Sequence, residues 1–251
     1  MHIPFAMNSY QGKQILALVR DGDFAHAGEE DGIDRAMASV PREGAQRILD
    51  AGCGRGGTAA YLQSNGWGRA TGIDIEPKSI AYARETYPDV NFACCDIYDV
   101  AAHVSGEFDV ITLFNVLYAL PDQGGALRAL ASRAKLHARL VLFDYTDLGG
   151  YRSAPLIDAG APFLPSPPQK ADLAHILEAG GWRLESVEDL TGDYARWYEA
   201  LVAKIEAKRE GIETLGGAEA YEHVLDRYSG VLAAIQEGRL GGVVAYGVKV
   251  S

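Results

Sequence analysis

Short apolar runs and amphipathic stretches alternate along the first 145 residues. Ile48, Leu49 and Ala51 form a run that ends in glycines, which reads as a buried parallel strand entering a tight turn. Thr58–Gln63 follows as a helix start. Arg69–Asp74 (RATGID), Asn91–Cys95, Phe108–Leu113 (FDVITL) and Ala138–Phe143 (ARLVLF) are four further strands. Lys78–Thr86 and Leu127–Leu136 carry helical spacing between them. Five strands alternating with helices predict a doubly wound parallel sheet. Ahead of the sheet, Ile15, Leu16, Leu18 and Val19 mark Tyr10–Arg20 as a helix. A loop broken by Gly22 and Gly28 then leads to a second helix, Glu29–Val40, which closes before Pro41.

The pattern changes after residue 148. Gly149–Pro168 holds Gly149, Gly150 and Gly160 with Pro155, Pro162, Pro165, Pro167 and Pro168, and reads as a loop beside the sheet. A helix over Gln169–Gly180 and a strand over Trp182–Leu190 follow, and Gly241–Val250 (GGVVAYGVKV) is a last strand. The roughly fifty residues between those two strands are too many for a hairpin loop. Two amphipathic helices account for them. Tyr194, Trp197, Tyr198, Leu201 and Ile205 share one face of the first; Tyr221, Val224, Leu225, Tyr228, Leu232 and Ile235 share one face of the second. The expected organisation is a helical lid over 1–40, a core over 41–192 and 239–251, and a helical insert over 193–238.

Composition narrows the field. The 251 residues are 48% hydrophobic, enough for one large domain. Lys and Arg number 23 against 34 Asp and Glu, a formal charge of −11. An acidic surface without a basic cluster argues against nucleic acid or an anionic membrane as partner. The apolar runs are too short to span a bilayer. The opening MHIPFAMNSYQGK lacks the charged and apolar regions of a signal peptide. Cys53, Cys94 and Cys95 fit a reducing cytoplasm, and Cys94 and Cys95 read as small buried strand residues. No cluster of His or Cys accompanies them, so no metal site is expected.

The chemistry concentrates in Arg47–Gln63, RILDAGCGRGGTAAYLQ. A strand, a glycine turn and a helix N-terminus make a nucleotide-cofactor site. Gly52, Gly54 and Gly57 satisfy G-x-G-x-x-G, a weak signal alone. Asp50 sharpens it, because a carboxylate at the strand's end repels a pyrophosphate and accepts a cationic amino-acid head group. Asp74 ends the second strand 22 residues after Gly52, where an acid accepts hydrogen bonds from ribose hydroxyls.

These residues resemble the "LDxGCGxG" motif of class I S-adenosylmethionine-dependent methyltransferases; a nicotinamide-dependent oxidoreductase is the rival built on the same turn. The resemblance implies a Rossmann-like, mainly parallel seven-stranded sheet with an antiparallel last strand and a cover of helices. It implies S-adenosylmethionine held by Asp50, Ala51, Gly52, Cys53 and Gly54, by Asp74 and Ile75, by Asp96 at the adenine amino group with Ile97 near the base, and by Asn115 after the fourth strand. The order of parts is similar to small-molecule N-methyltransferases of the phosphoethanolamine and sarcosine type. Ser9–Tyr10–Gln11 stands where they carry a latching tyrosine, Phe143–Asp144–Tyr145 where they have a "TDY"-like strand end, and Asp193–Tyr198 where they have an aromatic insert. Two departures put phosphoethanolamine itself in doubt: Tyr118 replaces the histidine after the fourth strand, and the Gly149–Gln169 loop does not match their phosphate-binding basic residues. Tyr10, Tyr118 and Tyr145 are therefore the catalytic candidates, and His26, Tyr151, Trp197 and Tyr198 the substrate-binding ones, for methylation of a small molecule at an amine nitrogen. O- or C-methylation of a secondary metabolite and a non-catalytic cofactor-binding module are the alternatives.

Overall fold

The structure is a computed structural model that describes residues 9–250. Two helices lead: α1 (Tyr10–Val19), capped by the Ser9 side chain, which accepts from the Gly12 amide, and α2 (Glu29–Ala36). The core follows as β1 (Arg47–Ala51), α3 (Gly57–Ser64), β2 (Arg69–Asp74), α4 (Pro77–Thr86), β3 (Asn91–Cys94), α5 (Val100–His103), β4 (Phe108–Phe114), α6 (Gln123–Ala131) and β5 (Ala134–Asp147). A small hairpin of β6 (Ile157–Asp158) and β7 (Ala161–Pro162) occupies the proline-rich loop. Then come α7 (Leu173–Ala179), β8 (Trp182–Asp189), α8 (Thr191–Ala207), α9 (Arg209–Gly216), α10 (Ala218–Gln236) and β9 (Leu240–Lys249).

Seven strands form one sheet in the order β3-β2-β1-β4-β5-β9-β8. Neighbours from β3 to β5 are parallel, and β9 runs antiparallel to both β5 and β8. Six strands thus point one way and β9 the other. Successive residues supply opposite faces, as the pleat requires. Val141, Phe143, Val244 and Tyr246 join the core beneath α1, α2 and α8 to α10. Leu140, Leu142, Val243 and Ala245 join the core beneath α6 and α7. Each fully buried branched side chain stabilises by roughly 1.5–3 kcal/mol. The sheet is therefore held from both sides, and its carboxyl ends open toward the α1–α2 and α8–α10 layer.

Several expected boundaries move. The helix expected over Leu127–Leu136 starts at Gln123, because the Asp122 side chain accepts from the Gly125 amide and caps it. It ends at Ala131, and residues 134–136 already belong to β5, where Ala134 pairs with Phe108. The second helix ends at Ala36 rather than Val40. The stretch between β8 and β9 holds three helices, since Gly217, at φ 81°, breaks the chain between α9 and α10. Of the adjacent pair, Cys94 is exposed and Cys95 is buried. No helix among the described residues is long and apolar enough to cross a membrane.

Candidate functional site

Asp50 lies in β1, in register with Thr112 on β4 and Gly72 on β2. Thr112 Oγ1 donates to Asp50 Oδ1 at 3.0 Å, and the buried Oδ2 has no partner. Burial raises the Asp50 pKa to about 7; Thr112 pulls against the rise and the charge of Asp74 adds to it. One carboxylate oxygen therefore waits unpaired in the interior.

The turn after Asp50 is tied down from three directions. Gly54 adopts φ 56°, and a Cβ there would meet only Ala25 Cβ at 3.8 Å, so the turn faces open space. Its amide donates to Asp74 Oδ2 at 2.8 Å, while Asp74 Oδ1 accepts from the Glu76 amide at 2.9 Å and from Lys13 Nζ at 3.0 Å. A Cβ on Gly57 would come within 2.6 Å of the Asp23 carbonyl oxygen, so only glycine lets the loop ahead of α2 pack on this turn. Arg55 Nε donates to Asp23 Oδ1 at 2.6 Å, and the Tyr82 and Tyr87 hydroxyls donate to Asp23 Oδ2 at 3.1 and 2.7 Å. The Arg55 guanidinium lies 3.6 Å above the Tyr82 ring and 5.6 Å from that of Tyr10.

Next to Asp74, Ile75 is 66% exposed, a large apolar side chain held in the open. Asp96 caps the turn that follows β3, accepting from the Tyr98 amide at 3.1 Å. Ile97 is buried beside it in the core on the α6–α7 side.

At the ends of β4 and β5 the candidates meet the cover. Asn115 adopts φ 53°, an uncommon conformation that aims its amide at two elements. Oδ1 accepts from the Ala27 amide and Nδ2 donates to the Tyr194 hydroxyl, each at 3.0 Å. The buried Asp144 accepts from the backbone amides of Tyr118 and Tyr145, at 3.2 and 2.7 Å, and so positions the turn that carries Tyr118. Burial lifts its pKa to about 7, against those same hydrogen bonds. Tyr118 packs edge to face on Tyr145 with centroids 5.1 Å apart, and the Tyr145 and Tyr198 hydroxyls hydrogen-bond to each other.

The remaining candidates scatter. His26 is buried against Phe114 and Phe143 rather than solvated. Its Nδ1 faces the Ala27 carbonyl at 3.1 Å, so Nδ1 carries the proton and Nε2 accepts from Thr58 Oγ1 at 3.0 Å. Burial lowers its pKa to about 3 and keeps the ring neutral. Trp197 donates to Asp31 Oδ2 at 2.8 Å and lies over Gly28, clamping α8 to the start of α2. Tyr151 is buried under the loop after β5. Tyr10 belongs with Arg55, and among the described residues Tyr118 has Tyr145, not Tyr10, as ring partner.

Sequence reasoning passed over Lys13, Arg20 and Thr112. Arg20 had a signal: it stands one helical turn beyond Leu16, on an otherwise apolar face.

Residues 48–145, from β1 to the Tyr145 end of β5, match the model of the methyltransferase domain family. Over those residues the chain carries a methyltransferase domain. The ubiquinone biosynthesis O-methyltransferase of Xanthomonas axonopodis pv. citri is 29% identical over 164 residues, 60% of this chain and 67% of that protein. Among the curated relatives the share of their own length that is matched falls as low as 28%. The Haemonchus contortus phosphoethanolamine N-methyltransferase 2, solved with phosphomonomethylethanolamine and S-adenosylhomocysteine, superposes with a TM-score of 0.82 at 17% identity, covering 98% of this chain and 59% of that one. The 4+2 cyclase SpnF superposes at 0.73 and 21% identity over 99% and 98% of the two chains. The seven-stranded methyltransferase fold is thus shared with proteins of differing chemistry. S-adenosylmethionine is the cofactor that the methyltransferase domain implies.

Proposed function

We propose that this chain methylates a small molecule, with an amine nitrogen as acceptor, in a site between the carboxyl edge of the sheet and a helical cover. The observation that carries the reading is the buried, unpartnered Asp50 Oδ2 beside the open Gly54 turn. A buried anionic oxygen needs a cationic donor, and the ammonium of an amino-acid head group is one. The exposed Ile75 suits a flat apolar base, with the Asp96 carboxylate available to an exocyclic amino group. On this reading Asp50 with the Ala51, Gly52, Cys53 and Gly54 backbone holds the methionyl end, Asp74 the ribose, and Ile75, Asp96 and Ile97 the base. The side chain of Asn115 joins the lid loop to α8, so any cofactor contact from it would come from its backbone.

When bound, the cofactor supplies an electrophilic sulfonium methyl group. The chain's own work is alignment and exclusion of water. Within the proposed lid of 1–40, the described residues from Ser9 on meet the insert of 193–238 through the Trp197–Asp31 hydrogen bond and through Asn115, which bridges Ala27 and Tyr194, and this cover is proposed to shut the site from above. Tyr10, Tyr118 and Tyr145 are the groups proposed to orient the acceptor. Burial pushes the Tyr118 and Tyr145 hydroxyls far above their usual range. Both therefore remain neutral phenols that orient the acceptor by hydrogen bonding, and its proton is lost to water. His26, Tyr151, Trp197 and Tyr198 line or support the substrate side. The three free cysteines agree with a cytoplasmic setting.

A second reading, methylation at oxygen, is favoured by the O-methyltransferase relatives. Incubation with S-adenosylmethionine and a panel of amines, phenols and hydroxy acids, read by mass spectrometry, separates the two. A gain of one methyl on an amine supports the first and on a hydroxyl the second. Cofactor binding without turnover on any compound leaves a binding module. Calorimetric binding of NAD in place of S-adenosylmethionine returns the oxidoreductase reading.

A further inference from the structure

Arg20 caps the C-terminus of α1, and its side chain is 2% exposed. A buried guanidinium has five N–H donors to satisfy. One of them, on Nη1, reaches Glu29 Oε1 at 3.2 Å, and Nε is buried with no partner. Glu29 is also within 3.9 Å of Lys204, so its charge is shared between two cations.

Phenols from two other elements stand beside this cation. The rings of Tyr198 on α8 and Tyr228 on α10 stack with centroids 6.1 Å apart, and both hydroxyls feel the Arg20 charge. Tyr145, at the end of β5, hydrogen-bonds to Tyr198. In a pair of hydroxyls one proton is used and one remains to be given. Tyr228, if it accepts from Arg20, also keeps its proton for another group. Tyr118 stands against Tyr145 and adds a further phenol. Burial holds all four phenols neutral, so each is a donor. The cluster is rich in donors and poor in acceptors, and buried polar groups are costly unless paired. Its missing complement is an oxygen with several lone pairs and a negative charge.

We propose that Arg20, together with the Tyr198 and Tyr228 hydroxyls, binds an anionic oxygen group of the methyl acceptor, a carboxylate or a phosphate. The inference rests on the methyltransferase reading and deepens it. A bare cationic amine is repelled by Arg20, so an amine acceptor that fits this site carries its negative charge on another atom of the same molecule. An aromatic hydroxy acid satisfies the same donors if the acceptor is oxygen.

The test is calorimetry with inorganic phosphate, benzoate and, as neutral control, benzamide. Each titration is run with and without saturating S-adenosylhomocysteine. Binding of phosphate or benzoate but not benzamide is expected, and the preferred anion distinguishes phosphate from carboxylate. Arg20→Gln should weaken that binding at least about tenfold, since a hydrogen-bonded charge is lost. Arg20→Lys should recover part of it. Tyr228→Phe, which keeps the ring and the packing, should weaken it by about threefold or more. Failure of both anions to bind, or binding unchanged in Arg20→Gln and Tyr228→Phe, overturns the inference. If Arg20→Gln does not fold, Tyr228→Phe and Tyr198→Phe decide alone. Failure of S-adenosylhomocysteine to bind would instead strike the methyltransferase reading, and the anion titrations without it would still report on Arg20.

Discussion

Lys13 Nζ lies 3.0 Å from Asp74 Oδ1, and both side chains are largely buried. The lid helix thus sets an ammonium on the acid proposed to hold the cofactor's ribose. The ribose hydroxyls and Lys13 compete for the same oxygen. Lys13→Met keeps the length of the side chain and removes the competitor. Affinity for S-adenosylhomocysteine should rise by about 0.5–1.5 kcal/mol, the scale of a partly buried ion pair. Calorimetry checks it; an affinity that falls would make Lys13 a ligand rather than a rival.

Asp74 also accepts from the Gly54 and Glu76 amides. Asp74→Ala therefore removes the proposed ribose contact and loosens the glycine turn. Cofactor binding should weaken by ~1.5–3 kcal/mol. Unchanged affinity would remove Asp74 from the site.

Asp50 gives a pH dependence. Its pKa, about 7 in the folded chain, exceeds the unfolded value of about 4. The native state therefore binds the extra proton between those values, and this group's contribution to stability falls as pH rises through that window. Asp50→Asn without cofactor should melt higher than the parent at about pH 8, with the advantage gone near pH 4. The same variant should bind S-adenosylhomocysteine more weakly at pH 8, because an amide cannot pair with the ammonium. Melting curves at both pH values decide the first point. A lower melting temperature for Asp50→Asn at pH 8 would show that the carboxylate is compensated.

Tyr10 stands beside Arg55 at the glycine turn, in the segment proposed as the lid. Tyr10→Phe keeps the ring and removes the hydroxyl. If that hydroxyl latches the site or moves a proton, the rate should fall by ~10²-fold while the melting temperature stays put. A normal rate returns Tyr10 to a packing role.

The sheet was legible from the residue pattern. Ile48–Leu49, Val110–Ile111 and Leu140–Phe143 are apolar on both faces, and a run of that kind is stable only between two helical layers. The order of acids, Asp50, Asp74 and Asp96, was equally legible, because strand ends in a parallel sheet all open on one side. The glycine turn followed from its spacing, since the conformation at Gly54 is local. The reversal of β9 followed only from the resemblance to the methyltransferase fold, since the pattern within a strand does not fix its direction. Tertiary structure alone decided which groups are paired. The Asn115 amide, counted toward the cofactor, spans from Ala27 to Tyr194, and His26, read as a loop residue, is buried with both nitrogens engaged. Lys13 and Asp74 are 61 residues apart in sequence, and Arg20 stands beside tyrosines from α8 and α10. Such contacts depend on how the lid and the insert pack over the sheet, which no local period encodes. Propensity and pattern act within a few residues, whereas the satisfaction of a buried charge depends on whatever distant chain arrives beside it.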